Sequence, residues 1–202
     1  MSKIILSVAA FITLMAFGTT AWILTERLME PKTVSGEGVV VAPAGIGGPF
    51  KLTSDAGKTV TEKAFAGKYA LVYFGYSFCP DVCPTALQHI ASGLDKLGDD
   101  AKKVVPVFVS VDPDRDTPDQ LAQYVDLFHP EMVGLTGSAD EIKKVAKKFR
   151  VYYALHKDKD PDNYPVDHSS FTYLMGPDWK LVAVFRHDAT PANIADALKK
   201  IL

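Results

Sequence analysis

Two cysteines in 202 residues are too few for a disulfide-stapled scaffold, and they leave no third thiolate for a typical structural zinc set. No charge of one sign dominates either. The 22 basic and 24 acidic side chains leave a net charge of -2, which excludes by charge a partner such as a nucleic-acid backbone. There is no internal repeat and no Arg-rich amphipathic leader of the organellar kind. With a hydrophobic fraction of 48%, the chain is long enough for one well-cored domain plus an appendage.

The appendage is N-terminal. Residues Ile4 to Leu24 run without a charge between Lys3 and the Glu26-Arg27 pair, and as a helix they would span about 31 Å, close to the hydrocarbon thickness of a bilayer. A cleaved signal peptide with a poor site at Thr19-Thr20-Ala21 is the competing reading, but its apolar core would be shorter, about 7–15 residues. We therefore expect a membrane anchor over 1–28 and a tethering linker over 29–46, rich in Gly and Pro with a short strand at Val39-Val40-Val41. A globular domain then occupies 47–202. The weak positive bias at Lys3 and the α-amino group leaves that domain exported, so the expected location is the bacterial inner membrane, crossed once, with the domain facing the periplasm.

Both cysteines lie in one stretch, Tyr73-Phe-Gly-Tyr-Ser-Phe-Cys79-Pro-Asp-Val-Cys83-Pro84. The apolar run 69–75 reads as a buried strand, and Pro84 reads as the first residue of a helix extending to about 97. The pair thus sits at a strand-to-helix junction, where the helix dipole and free N–H groups favour thiolate. A single structural disulfide is the plain alternative, although closing so small a loop removes little chain entropy.

Further along, alternation around Asp55-Ala56-Gly57 predicts a hairpin over 50–61, and Val104 to Val111 predicts a second buried strand whose start Pro106 leaves incompletely paired. Helices are expected after Thr117-Pro118, after Ser138 with Glu141 as a capping box, and after Thr190-Pro191. Short strands are expected at 133–135, 151–155, 170–175 and 181–185. Lys143, Lys144, Lys147 and Lys148 read as a solvated helix face. This order predicts an α/β domain resembling the thioredoxin-like arrangement, with a strand, a cysteine pair at a helix start, a βα unit, and a closing hairpin and helix. Three residues separate the cysteines, where redox thioredoxins have two.

In that arrangement His168 precedes the hairpin strand where a thioredoxin's proline loop would face the sulfurs. Cys79, Cys83 and His168 then make three ligands for a soft or borderline ion, copper ahead of zinc. His89, His129, His156 and His187 occupy unremarkable helix-end and loop positions.

Four motifs, Gly47-Gly-Pro-Phe50, the cysteine stretch, Ser110-Val-Asp-Pro-Asp-Arg-Asp-Thr117 and Val166-Asp-His-Ser169, together resemble the SCO/SenC family of membrane-anchored copper proteins of cytochrome c oxidase assembly. The likeness covers about residues 46–202, with Ser77 standing where threonine is common. It implies a thioredoxin-like fold, copper as Cu(I) or Cu(II), and Cys79, Cys83 and His168 as its ligands. The implied partners are the copper-bearing subunit of the oxidase, other periplasmic copper carriers and thiol reductants. Asp167 would either hold the His168 ring or be a plain surface carboxylate, and Asp112 is expected to cap the loop that follows it.

Two functions follow as expectations. A metallochaperone would pass copper by ligand exchange from Cys79, Cys83 and His168. A thiol-disulfide oxidoreductase, or a peroxidase of the same fold, would use Cys79 as attacking and Cys83 as resolving thiol.

Overall fold

The structure is a computed structural model that describes residues 36–40, 45–157, 160 and 163–202. The expected anchor over 1–28 and most of the expected linker lie outside the described residues. Among the described residues no helix is long and apolar enough to cross a membrane.

In chain order the strands are β1 (Val39–Val40), β2 (Lys51–Ser54), β3 (Thr59–Thr61), β4 (Tyr69–Gly75), β5 (Val104–Ser110), β6 (Val133–Thr136), β7 (Tyr153–Leu155), β8 (Val166–His168), β9 (Thr172–Met175) and β10 (Leu181–Phe185). The helices are α1 (Val82–Asp95), α2 (Pro118–Asp126), α3 (Ala139–Phe149) and α4 (Pro191–Lys199). One mixed sheet runs β1-β10-β9-β4-β5-β6-β2-β3, while among the described residues β7 and β8 pair only with each other in a separate ribbon.

The sheet's centre is apolar by sequence. Strand β4, Tyr-Ala-Leu-Val-Tyr-Phe-Gly, pairs parallel with β5 from Tyr69↔Val104 to Gly75↔Ser110 and antiparallel with β9. Burial on both faces needs such a continuous β-branched and aromatic run. Pro106 is tolerated because the β5–β6 ladder starts one residue later, running from Val107↔Val133 to Val109↔Leu135, so the missing N–H leaves no gap in that ladder.

Alternation along β4 then divides the core. Phe74 packs on Phe149 of α3 and on Tyr173 of β9, with ring centroids 5.1 and 6.0 Å away. Tyr73 and Gly75 point to the other face, where α1 lies and packs against α4. There Gly93 lets the helices approach: a Cβ on it would stand 3.0 Å from Ile194 Cγ2.

Helix starts follow the expected signals. Thr117 and Ser138 accept from the N–H groups of Gln120 and Glu141, the latter in a reciprocal capping box, and Thr190 forms a second such box with Asn193. Helix α1 departs from expectation, since it begins at Val82 rather than Pro84. Pro84 is its third residue, where the backbone N–H would still lack an intrahelical partner, so proline costs nothing there. Cys83 therefore lies inside the first turn, and Cys79 lies just before the helix.

Candidate metal centre

Strand β4 ends at Gly75 and the chain turns through Tyr76-Ser77-Phe78 into Cys79, whose N–H donates to Tyr76 O at 3.2 Å. Cys83 is fully buried, and its N–H donates to Cys79 Sγ at 3.5 Å. Both thiols are free. From the ribbon, 85 residues later, His168 Nε2 comes within 3.2 Å of Cys83 Sγ. The two sulfurs and one ring nitrogen all lie within 4.8 Å of one another. Sequence analysis nominated these same three residues, and the fold brings them together.

The histidine ring is held by three contacts. Nδ1 lies 3.1 Å from the carbonyl oxygen of Ser169, which can only accept, so a neutral ring carries its proton on Nδ1. Nε2 is then left with its lone pair toward the sulfurs. The rings of Tyr73 and Tyr76 meet the imidazole edge-on, with centroids 6.1 and 5.9 Å away. Orientation by a backbone carbonyl is one of the common ways a protein fixes a metal-ligating histidine.

Asp167 does not take that role. Its carboxylate pairs with His156 Nε2 at 2.8 Å on the exposed side of the ribbon. Adjacent strand residues point to opposite faces, so a side chain next to His168 cannot share its direction. His89 instead bonds the Ala189 carbonyl and His129 accepts from the Glu131 N–H, so both serve local structure.

The thiols differ electrostatically. A hydrogen bond from Cys83, with further help from the N–H groups of Asp81 and Cys83, holds Cys79 well below the ordinary thiol range against the opposing effect of burial. Cys83 moves the other way, pushed up first by its burial and then by the neighbouring Cys79. The reduced pair thus keeps one proton, on Cys83, while Cys79 is the nucleophilic thiolate.

A layer of residues that sequence analysis did not place in the site supports it. Asp116 is fully buried and accepts from Ser77 N–H at 3.0 Å and from the hydroxyls of Ser77 and Ser110 at 2.5 Å each. Burial raises its carboxyl, and those three donors pull the other way. Only a hydroxyl is needed at residue 77, so serine there keeps what threonine would supply. Asp112, also fully buried, does not cap its loop with its side chain as expected, since the bond from the Asp116 N–H, at 3.0 Å, goes to its backbone carbonyl. Its carboxylate reaches further, to Arg115 Nε and to the Tyr164 hydroxyl, at 2.5 Å each. The signal for these residues was the acid-rich run 112–116 directly after a buried strand.

The profile of the SCO1/SenC family matches residues 41–202. Over 165 residues the chain is 46% identical to the mitochondrial protein SCO1 homolog 1 of Arabidopsis thaliana, which covers 81% of this chain and 49% of that one, so it spans about half the length of that relative. The fold matches Arabidopsis thaliana ScoI, solved with copper bound, at a TM-score of 0.72 and 47% identity over 77% of this chain and 98% of that one. It also matches BsSco, described as having a disulfide switch and as a member of the Sco family of cytochrome c oxidase assembly proteins, at a TM-score of 0.62 and 29% identity over 80% and 96% of the two chains. The α/β sheet, the thioredoxin-like topology and the matched length agree, and the chain belongs to the SCO1/SenC family.

Proposed function

We propose that this protein is a membrane-anchored copper chaperone, which takes one copper ion on Cys79, Cys83 and His168 and delivers it to a copper centre of cytochrome c oxidase during assembly. The observation that carries the reading is the donor set: two sulfurs and a ring nitrogen within 4.8 Å of one another, with the imidazole proton directed away from the sulfurs. Thiolate with imidazole suits copper, and among the described residues no fourth Cys, His or carboxylate joins the group to complete a structural zinc site. Three donors leave the ion open to a ligand from the acceptor. Supporting the choice of cargo, the Arabidopsis relative of matching fold was solved with copper.

The site's surroundings suit a transfer step. Phe78 and Val82, each preceding a cysteine, are about half exposed and offer an acceptor a docking surface beside the buried thiols. The anchor over 1–28 would hold the domain at the inner membrane facing the periplasm, beside the copper-bearing oxidase subunit. Other periplasmic copper carriers and thiol reductants are the further partners of this reading.

A second reading has its own support in the asymmetry of the thiols. A depressed Cys79 beside a protonated Cys83 is the arrangement of an attacking and a resolving thiol, so the protein would reduce the cysteines of the oxidase copper site. Competition for copper between the reduced protein and a calibrated chelator, repeated with His168→Ala and Cys83→Ser, separates the two. The chaperone predicts one copper per chain and a large loss of affinity in both variants. Equal retention by wild type and His168→Ala, with turnover of a disulfide substrate, would favour the reductase.

A further inference from the structure

Neither strand of the β7–β8 ribbon pairs with the eight-stranded sheet, so the backbone ladder of the main sheet does not fix His168 relative to the cysteines. A three-residue link joins His168 to β9, whose Thr172 pairs with Tyr73, and side chains fix what that link leaves free. Two residues before β8, Tyr164 is almost fully buried and donates its hydroxyl to Asp112 Oδ1. The other oxygen of Asp112 accepts from Arg115 Nε, and the guanidinium lies over the Tyr164 ring at 3.7 Å. Tyr164 is therefore held both by its edge and by its face.

The same guanidinium lies 5.0 Å from the ring of Phe78, which precedes Cys79, and 5.5 Å from the ring of Tyr76. One residue further, Asp116 grips Ser77. A single short loop, 112–116, thus holds the cysteine arm at Ser77 and Phe78 and the histidine arm at Tyr164. The geometry points to Arg115, Asp112 and Tyr164 as positioning residues, a strut that sets where His168 stands relative to the two sulfurs.

Stability alone does not account for this cluster. The Arg115 side chain is 10% exposed and that of Asp112 is 0% exposed, yet Arg115 Nη2 is buried without a hydrogen-bond partner among the described residues. Desolvating such a pair costs several kcal/mol per ion, and apolar residues of similar volume often stabilise as well or better. What the ion pair adds is direction. A planar guanidinium can stack on Tyr164 and donate to Asp112 at once, whereas a lysine offers a point charge without the plane.

This inference rests on the copper reading, and one double-mutant cycle tests the two separately. Copper affinity is measured by chelator competition for the reduced wild type, Tyr164→Phe, Arg115→Lys, His168→Ala and Tyr164→Phe/His168→Ala. Tyr164→Phe keeps the ring and removes only the hydroxyl. It is expected to weaken binding about 10-fold or more, the usual range for residues that orient a ligand, with no further loss in the His168→Ala background. Arg115→Lys should weaken binding similarly, and in the copper-free protein both should speed exchange of the Ser169 amide, which donates to Tyr152 O at 2.9 Å. If Tyr164→Phe and Arg115→Lys bind like wild type while His168→Ala does not, the strut is wrong and the copper site stands. Additive loss in the double variant would also overturn it, since the effect would then run through the cysteines or general stability. If His168→Ala binds like wild type, the copper reading itself falls.

Discussion

Cys83 Sγ occupies the place where a residue other than glycine at 75 would put its side chain. A Cβ built on Gly75 would stand 2.6 Å from that sulfur, 3.1 Å from Phe108 Cε2 and 3.2 Å from Tyr73 Cε1. The last residue of β4 is thus small so that the first turn of α1 can press its thiol against the sheet. Gly75→Ala should push Cys83 out of register with His168. Overpacking of this kind costs about 1–3 kcal/mol, read by urea denaturation of the reduced protein, and copper affinity should fall with it. Wild-type stability and affinity in that variant would show that the sulfur has room to move.

The thiol asymmetry has a pH signature. Cys79 is depressed in the folded state, so its contribution to stability is present above its unfolded value, about 8.5, and is lost as pH falls toward its folded value. Cys83 is raised, so its contribution is present below about 8.5 and declines as pH rises beyond it. Together they make the reduced, metal-free protein gain stability from pH 5 toward pH 8.5 and lose it above, relative to Cys79→Ser/Cys83→Ser. Thermal melts in chelator and reductant read the difference. In the same state iodoacetamide at pH 6 should label Cys79 and spare Cys83, as peptide mapping would register; equal labelling would contradict the assignment.

Asp116 is the buried pin of the cysteine loop. Replacing it with alanine leaves the Ser110 hydroxyl and the Ser77 N–H and hydroxyl without their acceptor. An unsatisfied buried group costs about 1–3 kcal/mol, so Asp116→Ala should lose about 3 kcal/mol or more in chemical denaturation. Ser77→Thr, which keeps the hydroxyl, should lose less than about 1 kcal/mol. A near-neutral Asp116→Ala would mean that the loop is held from elsewhere.

Asp167, though next to His168 in sequence, should matter little to copper. Its pair with His156 is exposed, with side chains 65% and 49% accessible, and such pairs are worth about 0–1 kcal/mol. Asp167→Asn should therefore change copper affinity less than about fivefold, as chelator competition would measure. A loss as large as that of His168→Ala would return the ring-holding role to Asp167.

Much of this was legible in the sequence because the determinants are local. The apolar run 69–75, the Ser138 capping box and the Asp55-Ala56-Gly57 turn each fixed an element within a few residues of its observed bounds. Cys79, Cys83 and His168 could be nominated together because the element order suggested which loops meet and the four motifs resembled the SCO/SenC family. The bracing around them was not legible. That Ser169 turns the His168 ring, that Asp116 reaches Ser77 39 residues away, and that Arg115 stacks on Tyr164 depend on side-chain directions across the fold. Sequence spacing carries no such information, and for Asp167 it left two roles open, of which the surface carboxylate is the one observed.

X-ray absorption at the copper edge of the reduced, loaded protein reads the donor set directly. Two sulfur donors and one imidazole nitrogen are expected in wild type, with the imidazole signal absent and both sulfurs kept in His168→Ala. A sulfur-only environment in wild type, or a spectrum unchanged by His168→Ala, would contradict the three-residue copper site.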